Sequence, residues 1–584
     1  MLSKRAYVLF GLFFILFVGL MIRFVYIQFF SNKPLAESAF RQRLSNNSVE
    51  KLRSNILDKN GIPFTNRVQR YAAFIKTAYM PMSISEREKV CTALGINPDT
   101  INSLTSKSKP VIIETNKAGS DAILKMNLEW VSILHSLKRY GSNTLAKHVI
   151  GYLSGKDKVG QIGIEKEYED ELKESLIFEI GTITDATKNP IKGFGYRIKS
   201  RGAVEKRSVK LTLDYHIQKI VEDVMDKNGI SGAVVVEDVA TGDVLAMASR
   251  PDFDQESVEN YLGSSDNELF NKATAAYNLG SVFKIIDAAA LFENIDVITG
   301  RMIDITPDTP DTPDTPDTPD TPDTPDTPDT PDASIDMDNY YCKGSVNING
   351  LLFKCSSYLD GGHGMINLEQ AFAKSCNSSF IEMCQKIGYK NLVITAQKFG
   401  LGMETGILYQ GISEAKGSLP PLNSYYSQAD IANLSIGQGV LLATPLQVAD
   451  IVATIANGGI KNRVNIVDSV TDEEDRKISE IRVNQGKRII SKSTADKIKS
   501  LMEAVTVYGT GIEAGLEYYG GAGGKTGSAE TGLRDVVHAW FAGYFPSAEP
   551  RYSVAVFVEN GKYGGKTAAP VFAEIARIMT DKGY

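Results

Sequence analysis

Gly232-Ala-Val-Val-Val-Glu-Asp238, Ala240-Thr-Gly-Asp243 and Val244-Leu-Ala-Met-Ala-Ser249 stand in succession, and their reading sets the fold. Two runs of small and β-branched apolar residues flank a Gly- and Asp-containing tetrapeptide, the composition of strand, tight turn and strand. Upstream, Val209-Lys-Leu-Thr-Leu-Asp214 alternates with the period of a strand, and His216 to Lys227 has the spacing of an amphipathic helix. Downstream, helical patterns around 281–293, 367–387 and 446–457 lead to strand patterns at Ala539–Phe545 and Tyr552–Glu559 and a last helix, Ala569–Asp581. Strands first, helices in the middle, then strands with a helix predict an α+β domain built on one antiparallel sheet.

The chain around this domain is long, with 584 residues, 43% hydrophobic and 23% charged, which is the make-up of a folded, multi-domain protein. Its net charge of −7 is misleading, because Thr306 to Asp332 is nine Thr-Pro-Asp triplets, and without their nine carboxylates the charge becomes +2. A near-neutral remainder argues against a general attraction for nucleic acid. Proline at every third position forbids helix and sheet, so the tract is expected to be an extended, solvated loop without chemistry of its own. Five cysteines in a chain of this length rule out a disulfide-dense scaffold.

Lys4 and Arg5 precede an uncharged apolar run from Ala6 to Ile22, and the apolar character resumes after Arg23 as far as Phe30. A spanning helix needs about 20 such residues, and cations on the short side favour a cytoplasmic N-terminus with the rest of the chain outside. The alternative is a cleaved signal peptide, for which Ala36-Glu37-Ser38 is the one small-residue site, 14 residues beyond the uncharged run. The chain therefore divides into a tip and anchor over 1–30, a non-catalytic pedestal over 31–205, and the α+β domain over 206–584 carrying the 306–332 repeat. The pedestal mixes charged helix-like stretches such as Glu165–Ser175 with β-rich pieces such as Pro110–Glu114 and shows no nucleophile motif.

Three short motifs in the last part carry chemistry. Ser281-Val-Phe-Lys284 opens an apolar helix after Asn278-Leu-Gly280. Lys one turn beyond a Ser lies on the same helix face, where a buried amine takes the hydroxyl proton, although such a Ser is ordinarily an N-cap. Ser375-Cys-Asn377 offers a hydroxyl to pass protons and an amide to order the lysines, or else a polar bend between helices. Gly523-Gly-Lys525-Thr526-Gly527-Ser528 suits a strand whose backbone approaches a ligand closely. There Lys525 and Thr526 would hold a carboxylate, and the backbone N–H groups of Ser281 and Ser528 an oxyanion; its ordinary reading is a glycine-rich turn. A phosphate loop is discarded, because the residues after Lys-Thr are polar and then strand-like, with no helical pattern.

Together, in this order, Ser-x-x-Lys, Ser-x-Asn and Lys-Thr-Gly resemble the serine penicillin-recognising enzymes, and within them class B penicillin-binding proteins of the clostridial type. The resemblance extends to Arg53-Ser-Asn-Ile56-Leu-Asp58-Lys-Asn-Gly61, to Leu137–Tyr152, to Gly160–Tyr168, to Thr241–Ser249 with Pro251 and Phe253, and to Ser435-Ile-Gly-Gln-Gly439 with Thr444-Pro-Leu-Gln447. Ser54, Lys59 and Gly141 depart from the residues usual in these boxes, as do Leu279 and Ser528 near the motifs, the last two without removing a functional group. The resemblance implies a penicillin-binding, β-lactamase-like transpeptidase domain behind an elongated α/β pedestal. It also implies a D-Ala-D-Ala transpeptidase that needs no cofactor, with Ser281 as nucleophile, Lys284 as base, and Ser375, Asn377, Lys525, Thr526 and Gly527 completing the site. Peptidoglycan stem peptides as substrates, β-lactams as inhibitors and a SEDS-type glycosyltransferase partner are implied with it, in division, elongation or sporulation.

Cys342, Cys355 and His363 lie between the first two motifs and supply three of the four tetrahedral ligands that zinc prefers. Three readings stand open: a structural zinc, a Cys342–Cys355 disulfide, or free thiols beside a satisfied histidine. Some clostridial-type relatives resemble the pattern and carry zinc; the fourth ligand is expected to be Asp287, three residues past Lys284 on the same helix face where relatives usually have an uncharged residue, with Asp360 or Asp338 as alternatives. Cys376, Cys384 and Cys91 read as packing residues. Rival functions are a β-lactamase, for which no Glu-x-x-x-Asn loop is evident, a carboxypeptidase, and a scaffold whose catalysis is dispensable.

Overall fold

A computed structural model describes residues 2–29, 44–104, 111–155, 158–173, 176–183, 196–202, 206–294 and 340–584. The Thr-Pro-Asp tract and Asp338 lie outside them. The N-terminal helix Leu2–Phe29 is, among the described residues, the one helix long and apolar enough to cross a membrane, over Tyr7–Tyr26.

The chain forms two compact units. The first comprises Met1–Asn55, Thr65–Gly141 and Leu172–Arg207. In it the antiparallel strands Val111–Thr115, Val68–Ile75 and Val131–Lys138 form a sheet. Ala73, Ile75, Val90, Cys91, Ile123 and Trp130 make a core between that sheet and the helices Ile84–Leu94 and Lys117–Met126. Cys91 is thus a packing residue, as its apolar neighbours in the sequence suggest.

The second unit gathers Ile56–Phe64, Ser142–Glu171 and Ser208–Tyr584. Its centre is an antiparallel sheet of β1 (Gly232–Asp238), β2 (Val244–Arg250), β3 (Gly523–Glu530), β4 (Val537–Phe545) and β5 (Tyr552–Val558), in the order β2-β1-β5-β4-β3. The hairpin read from sequence therefore pairs its first strand with the last strand of the chain, and β3 lies at the sheet edge. Helix α1 (Tyr215–Lys227) begins at Asp214, whose carboxylate accepts the N–H groups of His216 and Ile217 as an N-cap.

Among the further helices of the domain are α2 (Lys284–Glu293), α3 (Leu368–Ala373), α4 (Asn377–Ile387), α5 (Pro445–Ala456) and α6 (Lys492–Val507). The last, α7 (Gly564–Asp581), packs with α1 on one sheet face, where Val221, Val234, Val236, Val554, Val556, Phe541 and Phe572 form the core. Val235 and Ala555, which the pleat turns to the other face, are fully buried as well, because α5 covers that side.

The strand Ser208–Leu211 is not part of this sheet. It joins Val467–Thr471 and Lys477–Glu480 and pairs in parallel with Ile56–Leu57 in a second, four-stranded sheet. The single helical pattern over 367–387 is two helices, broken where Ser375 adopts a positive φ of 54°.

Phe572 holds α7 to the sheet, with its ring centroid 4.7 Å from Phe541 and 5.9 Å from Phe545. Truncating it to alanine leaves a cavity in the fully buried core, and Phe572→Ala is expected to cost about 3–5 kcal/mol. Denaturant unfolding of the detergent-solubilised chain checks this; a cost below about 1 kcal/mol contradicts the packing described.

Candidate active site

The nucleophile motif begins on a short turn, Gly280–Phe283, that runs into α2. Gly280 has φ +55°, and a Cβ there would lie 2.6 Å from the carbonyl oxygen of Ser528 on β3. Only glycine allows both that backbone conformation and that approach. Gly527 is glycine because of close approach alone, since a Cβ would meet the Leu279 carbonyl oxygen at 2.8 Å and Val282 at 2.9 Å. From behind, Trp540 donates its indole N–H to the Asn278 carbonyl at 3.0 Å, and Asn278 donates its amide to the carbonyls of Gly439 and Leu441. Ser281 is thus held, half-buried, at a junction of the sheet edge and α2.

Lys284 points to the junction of α3 and α4 and is fully buried. Its Nζ donates to the Ser375 carbonyl at 2.8 Å and to Asn377 Oδ1 at 2.7 Å, and it lies 3.3 Å from each of the Ser281 and Ser375 hydroxyl oxygens. The two short partners accept only. A neutral amine has two hydrogens, and both are used on them, which leaves its lone pair for a hydroxyl proton. Burial lowers the Lys284 pKa to about 8, against the opposing pull of Cys355, Cys376, Asp287 and Cys384.

The third motif is strand β3. Lys525 is fully buried and donates to the Ser375 hydroxyl at 2.9 Å and to the Thr526 carbonyl at 3.2 Å. Burial, with the neighbouring Lys284 ammonium, holds its pKa well below that of an ordinary lysine. Ser375 therefore stands between two amines. Thr526 lies 2.6 Å, oxygen to oxygen, from the hydroxyl of Thr510, a residue the sequence motifs leave out. Thr510 does carry a signal, a lone hydroxyl between Gly509 and Gly511. Ser528, which is exposed, accepts the Gly564 N–H at its hydroxyl. The three motifs thus converge on one group of side chains around Ser375 and Lys284.

The segment before α3 folds as two small β ladders, Tyr340–Cys342 with Gly364–Ile366 and Ser345–Ile348 with Leu351–Lys354. It touches the second motif directly: Asn377 donates its side-chain amide to the Lys354 carbonyl at 2.9 Å and its backbone N–H to Cys355 Sγ at 3.3 Å.

Cys342, Cys355 and His363 come together there, and the fourth member of the group is Cys376, all four donor atoms lying within 4.8 Å of one another. Asp287 and Asp360 are not in the group. Instead Asp287 is fully buried under Lys284, with the Cys384 thiol beside it and no ordinary hydrogen bond to either oxygen; burial pushes its pKa well up. The cysteines are thiols rather than a disulfide. The Cys376 thiol, helped by His363, draws the Cys355 pKa far down, and Cys355 in turn raises that of His363. Cys376 reads as packing in the sequence because it sits between Ser375 and Asn377 and far from its three partners. Only the fold of 340–366 reveals the set.

The Penicillin binding protein transpeptidase domain family model matches residues 232–307 and 339–577. The chain is 28% identical to Stage V sporulation protein D of Bacillus subtilis (strain 168), over 98% of this chain and 85% of that protein. It is 24% identical to the peptidoglycan D,D-transpeptidase MrdA of Acinetobacter baumannii, over 96% and 86% of the two chains. Penicillin binding protein 3 of Mycobacterium tuberculosis, solved without ligand, shares the fold at a TM-score of 0.59 and 24% identity, over 92% of this chain and 97% of that one. A chain of a peptidoglycan synthase complex that coordinates polymerization and crosslinking shares it at 0.69 and 22% identity, over 97% and 96%. The matched segments span more than half of the residues and contain the strands, turns and helices that assemble Ser281, Lys284, Ser375, Asn377 and Lys525, and the chain belongs to the penicillin-binding protein transpeptidase family.

Proposed function

We propose that this protein is a peptidoglycan D,D-transpeptidase that crosslinks stem peptides through an acyl-enzyme on Ser281 and is acylated there by β-lactams. The observation that carries the reading is Lys284 Nζ, 3.3 Å from the Ser281 hydroxyl and spent of hydrogens on Ser375 O and Asn377 Oδ1. Ser281 Oγ attacks the carbonyl of the penultimate D-Ala while its proton passes to Lys284. The tetrahedral oxyanion is met by the backbone N–H groups of Ser281 and Ser528. The proton then moves through the Ser375 hydroxyl, which touches both lysines, to the leaving nitrogen, and the terminal D-Ala departs. An acceptor amine attacks the ester, gives its proton to Lys284, and the returning proton restores Ser281.

The substrate carboxylate is received by Lys525 and Thr526 on β3. Two ammonium groups sharing the Ser375 hydroxyl repel, and a carboxylate beside Lys525 favours the proton there. Binding thus keeps Lys284 neutral when its base function is needed. Residues 1–30 serve as cytoplasmic tip and anchor, 31–205 as a non-catalytic pedestal segment, of which Ile56–Phe64 and Ser142–Glu171 fold into the same compact unit as the catalytic part, and 206–584 as the extracytoplasmic catalytic domain. A SEDS-type membrane glycosyltransferase supplies the glycan strands, as the likeness to a synthase-complex chain supports. Service in sporulation is favoured by the relative named for that stage.

A structural zinc at Cys342, Cys355, His363 and Cys376 belongs to the same reading. Three sulfurs and one imidazole within 4.8 Å of one another fit its tetrahedral preference. Such an ion ties the 340–366 segment to the Ser375–Asn377 bend and takes no part in acyl transfer.

Intact-mass analysis of the detergent-solubilised chain with a penicillin tests the nucleophile: a stable adduct is expected on wild type and none on Ser281→Ala. An adduct that persists in Ser281→Ala, or one hydrolysed within seconds on wild type, contradicts a transpeptidase. Native mass spectrometry tests the metal. A zinc-sized increment is expected that disappears in Cys355→Ser together with a lower melting temperature, whereas a two-proton deficit reversed by reductant points to a disulfide instead.

A further inference from the structure

We infer that Thr510 is a positioning residue of this site, joining the wall that carries Ser375 to the strand that carries Thr526 and steering the Thr526 hydroxyl proton toward the substrate carboxylate. The inference rests on the assignment of Thr526 as a carboxylate-binding residue. Thr510 lies in the turn after α6. Its backbone N–H donates to the Ala373 carbonyl at 2.9 Å, its hydroxyl lies 3.3 Å from the same oxygen, and that hydroxyl is 2.6 Å from Thr526 Oγ1. Ala373 ends α3, two residues before Ser375. One side chain therefore bridges the second and third motifs.

The surroundings leave this bridge little freedom. A Cβ on Gly509 would meet the Ala373 carbonyl oxygen at 2.4 Å, one on Gly511 would meet Val505 at 2.9 Å, and one on Gly565 would meet the Thr510 carbonyl oxygen at 2.1 Å. The turn is thus pressed between α3, α6 and the start of α7. Next to it, Tyr508 donates its hydroxyl to Glu369 Oε1 at 2.7 Å, so the same turn also holds the first part of α3.

Hydrogen counting gives the bridge a second role. Each threonine hydroxyl has one hydrogen and two lone pairs. Without a ligand, Thr510 gives its hydrogen to the Ala373 carbonyl and Thr526 gives its own to Thr510. A carboxylate accepts only, so Thr526 must turn its hydrogen outward. Thr510 then rotates its hydrogen from the 3.3 Å contact to the 2.6 Å one. Ala373 loses little, because it retains the Thr510 N–H. No group is left unpaired in either state, and the Thr526 oxygen accepts a hydrogen bond while it donates to the anion, which strengthens the donation.

Stopped-flow acylation of the full chain in detergent by a fluorescent penicillin separates the dissociation constant of the first complex from the acylation rate constant. Thr510→Val, which keeps the shape and removes the hydroxyl, is expected to raise the dissociation constant by roughly threefold to tenfold, the worth of the lost hydrogen bond between the two hydroxyls. The rate constant should change by less than about threefold. Thr510→Ser should restore wild-type binding. In the double variant Thr510→Val/Thr526→Val the loss should match that of Thr526→Val alone, because the two hydroxyls act as one unit. Binding unchanged in Thr510→Val, a Thr510→Ser as weak as Thr510→Val, or losses that multiply in the double variant each overturn the inference. Thr510→Ala serves the same comparison if valine disturbs the Gly509–Gly511 turn. A wild type that no penicillin acylates overturns instead the reading of Ser281 and Thr526 on which the inference rests.

Discussion

The site depends on one buried amine. Lys284 sits where no water reaches it, and its two short hydrogen bonds run to the Ser375 carbonyl and Asn377 Oδ1, neither of them charged. A charged ammonium there lacks the solvation it would have in water, so burial lowers its pKa to about 8. Cys355, Cys376, Asp287 and Cys384 pull the other way, but burial outweighs them. The same two acceptors that satisfy the neutral amine fix its orientation. Removal of either would free a hydrogen and turn the lone pair away from Ser281. Activation and alignment are therefore one arrangement of atoms.

Everything around that amine places its partners. Ser375 is delivered by the break between α3 and α4, at a positive φ that costs a serine some strain. Ser281 is delivered by a turn that can press against β3 only because Gly280, Gly437 and Gly527 have no side chains; a Cβ on Gly437 would lie 1.9 Å from the Gly280 carbonyl oxygen. Lys525 is delivered by the edge strand of a sheet whose two faces are packed by α1 and α7 on one side and α5 on the other. The Cys342–Cys355–His363–Cys376 group fixes the far side of Asn377 through Lys354 and Cys355. Four separate parts of the chain thus constrain a few ångströms of space.

Much of this is legible in the sequence, for physical reasons that differ by element. The strands β1, β2, β4 and β5 are buried on both faces, so their uninterrupted apolar runs stand out, and Gly523–Ser528 shows itself by glycines where a backbone must come close. The strands Val467–Thr471 and Lys477–Glu480 do not, because the second is wholly exposed and carries no apolar alternation. The pairing of Ser208–Leu211 with Ile56–Leu57 is equally hidden, since the partner lies some 150 residues away. Ser281, Lys284, Ser375, Asn377 and Lys525 announce themselves by motif. Cys376 and Thr510 act through neighbours distant in sequence, and a local pattern has no way to show that. Asp287 looks like a ligand from its helix position, yet its carboxyl faces Cys384 rather than the thiol cluster.

The central claim is that Ser281 is activated by a neutral Lys284, and the pH dependence of acylation tests it most directly. Because the lysine acts as base only without its proton, the second-order rate constant for a β-lactam whose own charge is constant should rise from pH 6 to 9. The midpoint should lie near the lowered value of about 8; the rise should vanish in Lys284→Gln along with most of the rate. A profile that is flat or falling over this range, or one that reaches half its plateau only at the pKa of about 10.4 of a solvated lysine, would contradict the account.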